Sequence, residues 1–154
     1  TDSYIPSLKS LLAQIRGRAP LLIEIKSKAD RRVNALCLAV RRDLEGYRGP
    51  HAVMSFDPRV SRWFAQHASR TVRGLVITEE DKGGFWGTME RHASLWQARP
   101  DFLAYDIRDL PSKFASTQRA RGLPLLTWTV RTEEQRQTAI ANTDALIAEL
   151  EDPA

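Results

Sequence analysis

Apolar runs and amphipathic stretches alternate along this chain from one end to the other. Short apolar runs bounded by turn residues stand at 21–25, 52–56, 72–77, 102–107, 124–130 and 144–150, and each reads as a buried strand. The stretches between them repeat at helical spacing. Residues 5–15 open on Pro6 and Ser7 and stop before Gly17, which predicts a helix. Residues 29–44 place Val33, Leu36, Cys37, Val40 and Leu44 on one helical face before Gly49-Pro50 breaks the chain. Asp57-Pro58 pairs an N-cap with proline at the first helical position and predicts a helix to about residue 68. Helices are also predicted at 89–98 and at 111–121, the latter closed by Gly122. Thr132-Glu133-Glu134-Gln135 has the spacing of a capping box and opens the last helix. Residues 78–87 are polar and contain glycine, and read as a loop.

Six strands, spaced roughly 20 to 31 residues apart with a helix between each pair, predict an α/β fold with a parallel sheet. Two architectures fit: a doubly wound open sheet, or part of an eight-stranded (β/α)8 TIM barrel. No Gly-rich phosphate fingerprint follows any strand, which removes the main support for a dinucleotide-binding sheet. The density of units is that of a barrel lacking two of its eight, and residues 1–154 read as one domain portion with no linker.

Composition narrows the class further. The chain has 154 residues, 42% hydrophobic and 27% charged, which suits one globular unit with a core of its own. Lys+Arg 23 against Asp+Glu 19 leaves a formal charge of +4, but the arginines are spread over every segment rather than gathered in a stripe. That argues against nucleic acid as a partner. No apolar run approaches the roughly 20 residues of a membrane span, so no stable membrane insertion is expected. The lone Cys37 cannot form an internal disulfide, and the expectation is a reducing, cytoplasmic compartment.

In parallel α/β folds the chemistry gathers at the C-terminal ends of the strands. The first strand carries Glu24 and Lys26 there, two residues apart and therefore on one face. A carboxylate and an ammonium in such a place are an internal ion pair, or they meet a metal or a substrate. Ser55 at the end of the second strand is a candidate donor to a ligand, whereas Asp57 reads as a helix cap. Asp106 is open between a site and a turn. Trp128 either packs outward on helices or walls a pocket. His51 precedes a strand on the far side, and His67 and His92 lie on amphipathic helices, so none is placed for proton transfer. Cys37 reads as a small core residue.

Ile5-Pro6-Ser7-Leu8, Leu22-Ile23-Glu24-Ile25-Lys26, Met54-Ser55-Phe56-Asp57-Pro58 and Leu126-Thr127-Trp128-Thr129-Val130, in this order and spacing, resemble the glycerophosphodiester phosphodiesterase family over essentially the whole chain. The resemblance implies a TIM barrel of which this chain supplies strands three to eight and their helices. It implies metal-dependent hydrolysis of a small-molecule glycerophosphodiester to glycerol phosphate and an alcohol, in lipid and glycerol metabolism. Glu24 then matches a carboxylate ligand of a divalent cation, Mg²⁺ or Ca²⁺; Lys26 matches the basic residue facing the phosphate; Trp128 matches the aromatic lining of the substrate pocket. Arg131 departs from the Asn that many members carry. The family's His-Arg-Gly, Glu-Asn-Thr, Glu-x-Asp and His-Asp motifs do not occur in this sequence, so its catalytic histidine pair has no counterpart here. The expectation is therefore a further ~80 to 100 residues upstream, two βα units at the usual barrel spacing, and an inactive stretch without them. The alternatives are a related phospholipid phosphodiesterase, as in sphingomyelinase D-like relatives, or a degenerate barrel that binds anions or a partner chain.

Overall fold

The computed structural model describes residues 5–28 and 32–149. In chain order it runs α1 (Leu8–Ile15), β1 (Leu21–Glu24), α2 (Val33–Leu44), β2 (His51–Ser55), α3 (Pro58–His67), β3 (Val72–Ile77), α4 (Gly84–Ala98), β4 (Phe102–Asp106), a 3-10 turn (Ile107–Asp109), α5 (Lys113–Ala120), β5 (Leu125–Val130), α6 (Glu133–Asn142) and β6 (Ala145–Ala148). The helix starts follow from local chemistry. Ser7, Asp57, Ser112 and Thr132 each accept a backbone N–H with their side chains, and the Thr132–Gln135 capping box is closed in both directions.

The strands form one parallel sheet in the order β1-β2-β3-β4-β5-β6. A doubly wound sheet reverses its strand order at a switch point; here the order never reverses. Every crossover therefore runs in the same direction, and with one hand of crossover the helices fall on a single face. The sheet curls into a half-barrel with helices outside and a concave inner face, which removes the doubly wound alternative. Among the described residues β1 and β6 are each paired on one side only, the two edges expected at 21–25 and 144–150.

Alternation along the strands sorts side chains to the two faces. Val53, Leu75, Leu103 and Leu125 point outward, at 0–1% exposure, and pack with Leu12, Cys37, Val60, Phe64, Phe114 and Ala139 of the helical layer. Met54, Val76, Phe102 and Ala104 fill the concave face. Met54, Gly74 and Phe102 lie side by side across β2, β3 and β4. A Cβ on Gly74 would stand 2.3 Å from the Phe102 ring, so the glycine is what lets that ring lie across the base of the concave face.

Several boundaries move by one to three residues from expectation, and three differences are instructive. Helix α4 begins at Gly84 rather than at residue 89. Its glycines read as loop, yet Gly84 turns the chain at φ +78, and Gly87 lies against the Lys82 carbonyl where a Cβ would come within 1.7 Å. Helix α2 is described from Val33, and the expected helical residues 29–31 lie outside the described ones. Strand β6 ends at Ala148, although the Glu149 N–H still donates to the Val130 carbonyl at 3.3 Å; residue 150 lies outside the described ones. No described helix is long and apolar enough to cross a membrane.

Candidate functional site

The C-terminal ends of β1, β2, β3, β5 and β6 surround a cavity of about 350 Å³ on the concave side. Glu24, Lys26, Met54, Phe56, Val76, Trp128, Thr129 and Ile147 line it. Glu24 and Lys26 reach it together because residues two apart on extended backbone share a face. The Lys26 ammonium is 3.9 Å from the Glu24 carboxylate, and the Lys26 side chain is 81% exposed against 30% for Glu24. So long and open a contact holds neither group tightly, and both remain available to a ligand. Trp128 is fixed more firmly: its Nε1–H donates to the Ala104 carbonyl at 3.0 Å, and its ring meets Phe56 edge to face at 5.6 Å. Trp128 thus walls the cavity instead of packing on the helices.

The chain's sheet matches solved structures over nearly its whole length. An Oleispira antarctica phosphodiesterase, solved in complex with the product sn-glycerol-3-phosphate, matches at TM-score 0.74 and 18% identity, over 94% of this chain and 57% of that one. A Thermotoga maritima glycerophosphodiester phosphodiesterase matches at TM-score 0.69 and 21% identity, over 96% of this chain and 61% of that one. A Silicibacter pomeroyi protein provisionally named glycerophosphoryl diester phosphodiesterase matches at TM-score 0.76 and 21% identity, over 94% and 53%. The fold is that of the glycerophosphodiester phosphodiesterases. This chain spans 53–61% of the length of these structures. No protein-family model and no curated protein matches the sequence.

On this glycerophosphodiester phosphodiesterase fold the remaining candidates fall into place as scaffold. Ser55 faces outward, 1% exposed; its hydroxyl donates to the Ile25 carbonyl at 2.6 Å and accepts from the Asp57 N–H. It ties β1 to β2 and is not a ligand donor. Asp57 caps α3, accepts from Ser27 Oγ at 2.6 Å and pairs with Arg59 at 2.7 Å. Burial alone would raise its pKa, but these hydrogen bonds outweigh it and hold the carboxyl below its ordinary value. His51 donates from Nδ1 to the Gly49 carbonyl at the opposite end of β2. His67 stacks on Trp63 at the end of α3, and His92 rests on Phe114. None of the three lines the cavity. Cys37 is fully buried among the helices, and burial, with the Asp57 charge behind it, pushes its thiol up to about 11.

The residues described do not by themselves make a divalent-cation site. Such an ion takes six or more oxygen ligands. Among the described residues Glu24 is the one carboxylate lining the concave cavity, and no group of three or more His, Cys, Asp or Glu side chains could hold a metal.

Asp106 resolves to a turn. It is 1% exposed, caps the 3-10 turn, and takes three hydrogen bonds from the Arg108 guanidinium besides the Arg108 N–H. Burial works to raise its pKa, and the Arg108 hydrogen bonds and charge prevail, leaving it lowered. A carboxylate with a depressed folded-state pKa stabilises fully above its unfolded value of about 3.9 and loses that contribution as pH falls through the folded value. Asp106→Asn keeps the cap acceptor but loses the charge paired with Arg108, so it is expected to lower stability at neutral pH and to flatten the loss of stability below about pH 4. Urea titrations across that range measure both; a variant with the parent's acid profile contradicts the assignment.

Phe56 was not singled out by sequence reasoning. Its signal is the alternation that puts it two residues after Met54, on the same face.

Proposed function

We propose that the whole protein hydrolyses glycerophosphodiesters to glycerol phosphate and an alcohol, and that these six strands are strands three to eight of its barrel. Lys26 faces the phosphate, Trp128 and Phe56 wall the substrate pocket, and Glu24 is one ligand of a Mg²⁺ or Ca²⁺ ion whose other ligands come from beyond this stretch. The observation that carries this reading is the convergence of Glu24, Lys26 and Trp128 on one cavity at the strand ends. An exposed ammonium there attracts the single negative charge of a phosphodiester, and two crossed aromatic rings give an apolar surface for the alcohol. Proton transfer needs groups outside this stretch, since no histidine among the described residues lines the cavity.

The test is release of glycerol phosphate from glycerophosphocholine by the whole protein, with and without EDTA. Release that EDTA abolishes is expected; no release from any of a panel of glycerophosphodiesters overturns the reading. Lys26→Met is expected to raise KM about tenfold, and an unchanged KM removes Lys26 from the phosphate.

A second reading, a non-catalytic barrel that binds phosphate esters, is favoured by the missing cluster of metal-ligating side chains among the described residues. It predicts binding of glycerol phosphate with no turnover of any diester.

A further inference from the structure

Helix α4 buries small and polar residues and exposes large apolar ones. Gly87, Arg91 and Ala98 are its buried positions, while Trp86 is 81% exposed, Trp96 73%, Phe85 70% and Met89 50%. The neighbouring α3 does the opposite, burying Val60, Trp63 and Phe64 and exposing Arg59, Arg62 and Gln66. A hydrophobic residue exposed singly is ordinary, but four on one helix mark a contact surface. At 3.6 residues per turn, Phe85, Met89, His92 and Trp96 fall within about 60° of one another, with Trp86 and Ala93 on the adjoining flank. No Lys, Arg, Asp or Glu stands in that arc. Phe85 and Trp86 brace each other edge to face at 5.6 Å.

Additional strands could join the sheet only at β1 and β6, whereas α4 follows β3, which has β2 and β4 on either side. Further units of the barrel therefore add their helices away from this face. The spacing says what fits it. Phe85, Met89, His92 and Trp96 are four, three and four residues apart, the interval at which two helices interlock side chains along a seam. That interval reads the same in both directions. A second α4 laid antiparallel sets Phe85 opposite the second copy's Trp96, and Met89 opposite its His92, with the two helix dipoles opposed. Buried Trp and Phe side chains account for about 150–250 Å² each, so the stripe withdraws roughly 500 Å² per copy and ~1,000 Å² per pair, the size at which a specific interface begins. A lipid surface suits this helix less. Helices that lie on membranes carry Lys and Arg along their polar face, and here Glu79, Glu80, Asp81 and Glu90 outnumber Lys82 and the buried Arg91.

We propose that the α4 stripe is the contact of a two-fold dimer, in which two copies of this chain pack α4 against α4, antiparallel, around Phe85, Met89 and Trp96. None of these residues lines the concave cavity, so the dimer stands apart from the hydrolytic reading.

The test is sedimentation equilibrium of the whole protein from about 1 to 100 µM. The expected result is a dimer that dissociates on dilution, with a melting midpoint that rises with protein concentration. Trp96→Glu places a charge in the seam and weakens association about 100-fold, and Trp86→Glu, on the flank, about tenfold. Both side chains are exposed in the single chain, so each variant keeps the parent's melt at the lowest concentration. A protein that is monomeric over the whole range overturns the proposal. So does a dimer as tight in both variants as in the parent, which uses another face. A monomer that sediments with phosphatidylcholine vesicles, and ceases to with Trp96→Glu, gives the stripe to lipid and overturns it as well.

Discussion

Replacing Glu24 by alanine in the whole protein is expected to lower phosphodiester turnover about 100-fold and to raise the Mg²⁺ or Ca²⁺ concentration needed for what remains. Glu24 is the one carboxylate among the described residues that lines the concave cavity. Losing a charged oxygen ligand lowers cation affinity directly. Folding should be nearly untouched, because the carboxylate's only ion pair among the described residues is a 3.9 Å contact to an 81% exposed lysine, and exposed pairs of that kind contribute ~0–1 kcal/mol. Initial rates against cation concentration, with a denaturant melt as control, measure the two effects separately. Equal rates and equal cation titrations in variant and parent would sink the assignment. A variant that is merely unstable would show in the melt.

Phe64→Ala is expected to remove about 3–5 kcal/mol of stability, a large share of the ~5–15 kcal/mol typical of a domain. The ring is 0% exposed, meets Trp63 edge to face at 5.1 Å, and joins α3 to β2 through the cluster that holds Val53, Val60 and Cys37. Little can collapse into the space, since strand and helix backbones fix the surrounding side chains. Urea unfolding of the variant checks it, and a loss under about 1 kcal/mol would mean that the ring does not occupy the core between sheet and helices.

The concave cavity was legible in outline. Glu24 and Lys26 could be placed together from spacing alone, because the two-residue repeat of a strand is a property of the backbone. Trp128 could not be oriented in the same way. Its strand is buried on both faces, so alternation sorts Trp128 from Thr127 without saying which of them looks inward. The curl of the sheet decides it, and the Ala104 carbonyl then takes the indole N–H. Ser55 was misjudged for a related reason. A hydroxyl at a strand end suits a ligand or a neighbouring strand equally well, and the Ile25 carbonyl that claims it is thirty residues away in sequence. The apolar stripe of α4 was hidden because residues 78–87 read as loop, which set Phe85 and Trp86 apart from Met89 and Trp96; the chain in fact enters the helix at Gly84.

By itself, the sequence determined the elements and their alternation: hydrophobic period, caps and turn residues act over a few positions, so they survive without any tertiary contact. It left the sheet's layout undecided between two architectures. Strand order is a matter of which backbones pair across 20 to 30 residues of intervening chain, and every strand here is apolar enough to pair with any other. Only the tertiary structure, by pairing each strand with its neighbour in sequence, put all the helices on one side and left a concave face on which a carboxylate, an ammonium and an indole converge.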